Sequence, residues 1–151
     1  MKKEYIPDSD FVSREIFHPQ MTRDELDAVY TNLFEFHDGL PESVVWRRHI
    51  VSDSQMHELG TTHEALKQSR NPAVVYVGFG SAKAQSIRSI SAANSFGHGF
   101  EIRHEPSEGI HHAEVGYQLA SGATYASLAR SQRKELRLTL SKLFEPILRR
   151  P

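Results

Sequence analysis

The fold class this sequence predicts is α+β, with helices packed on a mixed sheet of about four strands. Three observations predict it. Segments with apolar residues at helical spacing are interspersed with short β-branched runs, and two arms flanking Pro106–Gly109 show the period-two alternation of an antiparallel hairpin. No internal repeat, low-complexity stretch or linker divides the chain, so its 151 residues read as one domain over 1–151, with a core of ordinary size.

The elements follow in order. Thr22 with Glu25 makes a capping box, and Met21 with Leu26 has the spacing of a hydrophobic staple. Leu26, Val29, Tyr30 and Leu33 then share one helical face, so a helix is expected over about 23–37, ended by Gly39 and Pro41. SVVWRRHIV (43–51) reads as a strand, with Trp46 and Ile50 on one face and Arg47 and Arg48 pointing to opposite faces. Asp53 is expected to cap a short helix through Leu59, Gly60 to break it, and Thr61 with Glu64 to start another that stops at Asn71-Pro72. AVVYVGF (73–79) is a continuous apolar run, expected as the buried middle strand. A helix capped by Ser81 should follow to about Ser91. The last helix starts near Ser131, and Leu136, Leu140, Leu143, Phe144 and Ile147 form its apolar stripe until Pro146 kinks or ends it.

Between those two helices lies the hairpin, 97–105 paired with 110–118. Phe100 and Ile102 on one arm and Ala113, Val115, Tyr117 and Leu119 on the other must share the buried face, so opposed residue numbers sum to an odd value. A four-residue loop, Pro106–Gly109, selects 215. Phe100 then faces Val115, Ile102 faces Ala113, and His104 faces His111, with Cβ atoms about 4.5–5.5 Å apart. Two imidazoles that close can divide general acid and base between them, the pattern needed to cleave a phosphodiester beside a 2′-hydroxyl, so His104 and His111 are the candidate catalytic pair. The same register sets Arg103 opposite His112 and Glu101 opposite Glu114. With no cysteine in the chain, a metal must be held by nitrogen and oxygen; His112, Glu101 and Glu114 outline a face for a divalent cation. The blander account is a turn flanked by solvated or hydrogen-bonded histidines.

A second candidate is anion binding. VGFGSAK (77–83) ends a predicted strand and opens a predicted helix, where backbone N–H groups and Ser81 and Lys83 would face an anion. It completes neither the P-loop nor the dinucleotide fingerprint, and a tight turn is the plainer reading. Of Arg47 and Arg48, at least one should lie towards a cleft, and Arg48 joins the anion-binding set; an ion pair with the acidic first helix is the alternative.

Charge is uneven. Residues 1–60 carry 6 basic and 12 acidic side chains, net −6, whereas 125–151 carry 7 and 2, net +5. An acidic amino-terminal half suits a basic protein partner, and the basic last helix, with Arg130, Arg133, Lys134, Arg137 and Lys142, has the footprint of a nucleic-acid contact, although no aromatic interleaves it. Head-to-tail self-complementarity would account for the same asymmetry. No apolar run approaches the roughly 20 residues of a membrane helix, MKKEYIPDSD lacks the apolar stretch of a secretory signal, and ILRRP holds no lipidation box, so a cytoplasmic address without a membrane partner is expected. Two function classes follow. The first is a small soluble cytoplasmic interaction or neutralising protein that binds a macromolecular partner. The second is a histidine-dependent hydrolase or nuclease, with or without a metal, acting on phosphodiesters through the 98–114 hairpin. The lack of a complete catalytic motif favours the first.

Overall fold

The computed structural model of the chain describes residues 4–22, 33–49 and 51–151. Its elements are β1 (Phe11–His18), β2 (Glu42–Trp46), α1 (Asp53–Gln68), β3 (Val75–Lys83), α2 (Ala84–Arg88), β4 (Gly99–His104), β5 (His112–Gln118), α3 (Arg130–Lys142) and β6 (Leu148–Arg149). The α+β class holds, but the sheet has six strands in the order β4-β5-β2-β1-β3-β6, and every neighbouring pair is antiparallel. The expected sheet of about four mixed strands is corrected on both counts. β1 is hard to read because Arg14 and Glu15 interrupt its apolar alternation, and β6 is only two residues long.

Strand parity sorts the side chains onto two faces. On one face Val12, Ile16, Val44, Trp46, Phe100, Ile102, Ala113 and Val115 join Ile87 of α2, Leu136 and Leu140 of α3, and Phe34, Phe36 and Phe144 in a single buried cluster. On the other, α1 packs on β3 and β1, over two smaller clusters, Phe17–Val74–Tyr76 and Val51–Met56–Phe79. A bulge between Ile16 and Phe17 pairs Ile16 with Gly78 but Phe17 with Tyr76, which turns the Tyr76 ring to the α1 side.

Most of the expected helix over 23–37 lies outside the described residues. Its described end is not α-helical: Leu33, Phe34 and Phe36 enter the core, and His37–Gly39 form a 3-10 turn with Asp38 at φ 52° and Gly39 at φ 78°. β2 stops at Trp46, short of the strand expected to 51. Arg47–His49 make a 3-10 turn instead, because Arg47 Nε donates to the Val51 carbonyl at 2.8 Å and Nη2 to Asp53 at 2.7 Å, folding the chain back.

α1 is one helix where two were expected. Ser52, not Asp53, is its N-cap, in a capping box with Gln55. Gly60 does not break it: a Cβ there would lie 2.2 Å from the Tyr76 ring, so the glycine is a notch that seats the tyrosine. β3 lies one strand in from the β6 edge rather than mid-sheet and runs through Lys83, so the following helix starts at Ala84 and not after Ser81.

At the other edge, β4 is guarded by Arg88. Its guanidinium donates to the Ile6 carbonyl at 2.6 Å, Asp8 at 2.8 Å, Glu101 at 2.6 Å and the Ile102 carbonyl at 3.2 Å, beside a bridge from Tyr5 to Arg103. Among the described residues no helix is long and apolar enough to cross a membrane.

Candidate functional site

The hairpin forms with the expected parity but a different register. Ile102 faces Val115, Phe100 faces Tyr117 and His104 faces Ala113, so opposed numbers sum to 217 rather than 215. The turn is longer than four residues. Pro106–Glu108 make a 3-10 turn begun by Glu105, whose carboxylate accepts from the Ser107 amide; Gly109 takes φ 128°, and Ile110 and His111 complete the connection.

That two-residue slip separates the proposed catalytic pair. His104 points into the sealed face, 4% exposed, its ring 4.9 Å from that of Trp46, and neither ring nitrogen has a hydrogen-bond partner among the described residues. His111 sits in the turn, where its carbonyl accepts from the Trp46 amide at 2.7 Å. The expected opposition of His104 and His111 is therefore corrected.

The proposed metal face is rearranged too. Glu101 faces Gly116, not Glu114, and is held by Arg88; Arg103 faces Glu114, not His112; His112 faces Val45 of β2, with Nε2 3.9 Å from Glu114. Among the described residues no three His, Asp or Glu side chains converge on a metal position, and Glu101 stands apart from His112 and Glu114.

The anion-binding set is dispersed as well. Because VGFGSAK is strand throughout, it offers no loop of free N–H groups. Ser81 Oγ pairs with Ser13 Oγ at 2.6 Å, the Lys83 ammonium lies 5.7 Å from the Phe11 ring centroid, and Arg48 pairs with Glu4 at 3.1 Å while lying over Trp46.

Two other places gather polar groups. The first is a cleft of about 400 Å³ between α1 and the sheet, lined by Ser13, Glu15 and Phe17 of β1, Ser43–Val45 of β2, His112 of β5, and His63, Leu66 and Lys67 of α1. Alternation along β1 aims Ser13, Glu15 and Phe17 to this side, and the i, i+4 spacing of α1 stacks His63 and Lys67 above them. Glu15 is 11% exposed in its side chain and makes no ion pair with an arginine among the described residues. Its two oxygens lie 2.8 and 2.6 Å from His63 Nδ1, while the His63 side chain remains 45% exposed. The Lys67 ammonium lies 4.9 Å from the Phe17 ring centroid and makes no ion pair among the described residues. Arg14, also at the rim, is already committed: it donates to the Leu33 and Ser43 carbonyls and to Glu42, and burial pulls its affinity for a proton below the usual arginine value despite that carboxylate. Neither Glu15 nor Lys67 stands out in the sequence. The one local signal was the i, i+4 pairing of His63 with Lys67.

The second place is the basic side of α3. Arg130, Lys134 and Arg137 follow one another at i, i+4 and i+7 and line an open groove. Arg133 lies beside them, its guanidinium 4.3 Å from the Tyr125 ring centroid. None of the four has an ion pair among the described residues. Beneath them the Tyr117 hydroxyl, buried and without a hydrogen bond among those residues, has its pKa pushed up to about 12, chiefly by desolvation and then by Tyr125, against the pull of Arg137 and Arg133.

Comparison with protein-family models, with curated proteins and with solved structures returns no match to this chain.

Proposed function

We propose that this is a soluble cytoplasmic interaction protein that docks on the phosphate backbone of a nucleic acid through the basic side of α3. The observation that carries this reading is how the chain's charges pair. In the acid-rich first half Glu4, Asp8, Glu42 and Asp53 each bind an arginine of the chain itself, and Asp10 accepts from the Trp46 indole. Of those arginines only Arg88 comes from outside residues 1–60, so that half keeps most of its negative charge. Arg130, Arg133, Lys134 and Arg137 instead have no carboxylate partner among the described residues, and a polyanion would supply one.

Nucleic acid is favoured over protein because a protein interface is usually built round an apolar centre. The exposed large apolar side chains, such as Phe11, Leu66 and Phe96, lie outside α3. A row of cations without stacking aromatics between them suits backbone contact without base readout.

The test is fluorescence anisotropy with a labelled duplex of about two helical turns. Contact with about four phosphates predicts micromolar binding that weakens roughly a hundredfold between about 50 and 200 mM salt. Arg130→Glu with Lys134→Glu and Arg137→Glu should abolish it. Binding that is insensitive to salt or to that triple substitution would remove the proposal.

A further inference from the structure

The cleft beneath α1 lies on the opposite side of the sheet from α3 and holds a different kind of chemistry. Glu15 is a nearly buried carboxylate whose only ionic partner among the described residues is an imidazole, at 2.6 Å. A carboxylate acceptor at Nδ1 places that ring's proton there and leaves the Nε2 lone pair without a partner among the described residues, on a half-exposed ring, the orienter-and-base arrangement of acid–base sites. A clamp holding α1 on β1 would need only a hydrogen bond. It would not need the ring to border a cleft of about 400 Å³, a size suited to a small molecule.

The other groups in that space define what it would take. Lys67, one turn beyond His63, brings a cation without an ion pair among the described residues, and His112 brings a second imidazole from the far side. His112 faces Val45 and Val45 faces Ser13, so His112 lies two strand spacings, about 10 Å, from β1. Glu15 lies two residues further along, which puts the Glu15 and His112 Cα atoms roughly 12 Å apart. Val45 and Leu66 form an apolar wall for the rest of the ligand.

We infer that this cleft hydrolyses a small phosphate ester, with His63 as general base, Glu15 as its positioning residue, and Lys67 and His112 on the phosphoryl group. A water oxygen bonds to phosphorus as His63 Nε2 takes its proton. The bond from phosphorus to the ester oxygen breaks, and protonated His112 gives that oxygen its proton. Lys67 stabilises the charge that gathers on the non-bridging oxygens. Nothing is oxidised or reduced, and the two imidazoles regain their starting protonation through solvent.

The test uses the full chain with p-nitrophenyl phosphate and bis(p-nitrophenyl) phosphate, and inorganic phosphate as a binding probe followed on the histidine ring protons. Expected are joint shifts of the His63 and His112 resonances with phosphate, and turnover of at least one ester. His63→Ala should lower kcat by about a hundredfold or more, with partial rescue by added imidazole. Lys67→Ala should raise KM more than it lowers kcat, and Glu15→Gln should lower kcat with KM held. Melting curves of each variant confirm the fold. No turnover of either ester, even with phosphate bound, or turnover that His63→Ala leaves unchanged, would overturn the inference. The triple α3 substitution should leave hydrolysis intact, so loss of nucleic-acid binding and loss of this site are separate outcomes.

Discussion

His104 and His63 sit on opposite faces of the sheet, and the difference between them follows from what each face is built to do. On the face covered by α2, α3 and the Phe34–Phe36 segment, His104 lies against Trp46 with neither nitrogen hydrogen-bonded among the described residues, where it fills volume and costs desolvation. On the α1 face, His63 has a carboxylate on one nitrogen and a side chain that is 45% exposed. Chemical usefulness therefore tracks partner and access, not the local density of histidines along the chain. The stretch richest in them supplies one core filler, one turn residue and, in His112, one side chain that does reach a cleft.

The comparison can be broken most forcefully at Gly60. Replacing it with alanine puts a Cβ 2.2 Å from the Tyr76 ring, and the overpacking should cost about 1–3 kcal/mol in urea unfolding, reduced by up to about 1 kcal/mol of helix propensity. Because His63 lies three residues on, the same variant should also weaken the phosphate-induced shift of its ring protons, while a substitution on the α3 side should not.

His104→Leu sharpens the contrast with a smaller effect of the opposite sign. Removing two buried nitrogens that lack partners among the described residues should leave stability unchanged or raise it by about 1 kcal/mol, measured by the urea midpoint. A loss above about 2 kcal/mol would mean that the ring is hydrogen-bonded and that the two histidines are more alike.

The smallest effect concerns Tyr117, on the sealed face beneath the arginines of α3. Its folded pKa of about 12 lies above the ordinary tyrosine value of 10.0, so the fold holds that proton more tightly than the unfolded chain. This contribution to stability is fully present below pH 10 and is lost as pH rises from about 10 towards 12. Absorbance titration at alkaline pH should show a tyrosine ionising near pH 12, and Tyr117→Phe should remove that step.

What could be read from the chain itself follows a physical rule: patterns that depend on neighbours in sequence were legible, and those set by distant partners were not. The hairpin arms and their parity came from apolar alternation. The register did not, because a two-residue slip preserves parity and nothing in EPSEGIHH reveals that Ile110 and His111 belong to the turn. The break expected at Gly60 failed because its reason to exist is Tyr76, beyond the end of its own helix. β1 was missed since Arg14 and Glu15 look like loop residues until their partners, Glu42 and His63, 28 and 48 residues away, are in place. The cleft rests on that second pairing, which local spacing could not disclose.

The Arg88 clasp has one more consequence. An outer strand with bare amide and carbonyl groups is a template on which another chain can add itself. Here one guanidinium occupies the Ile102 carbonyl and ties the Ile6–Asp8 segment across that rim. Together with the Tyr5–Arg103 bridge, that side chain works against edge-to-edge association of the molecule.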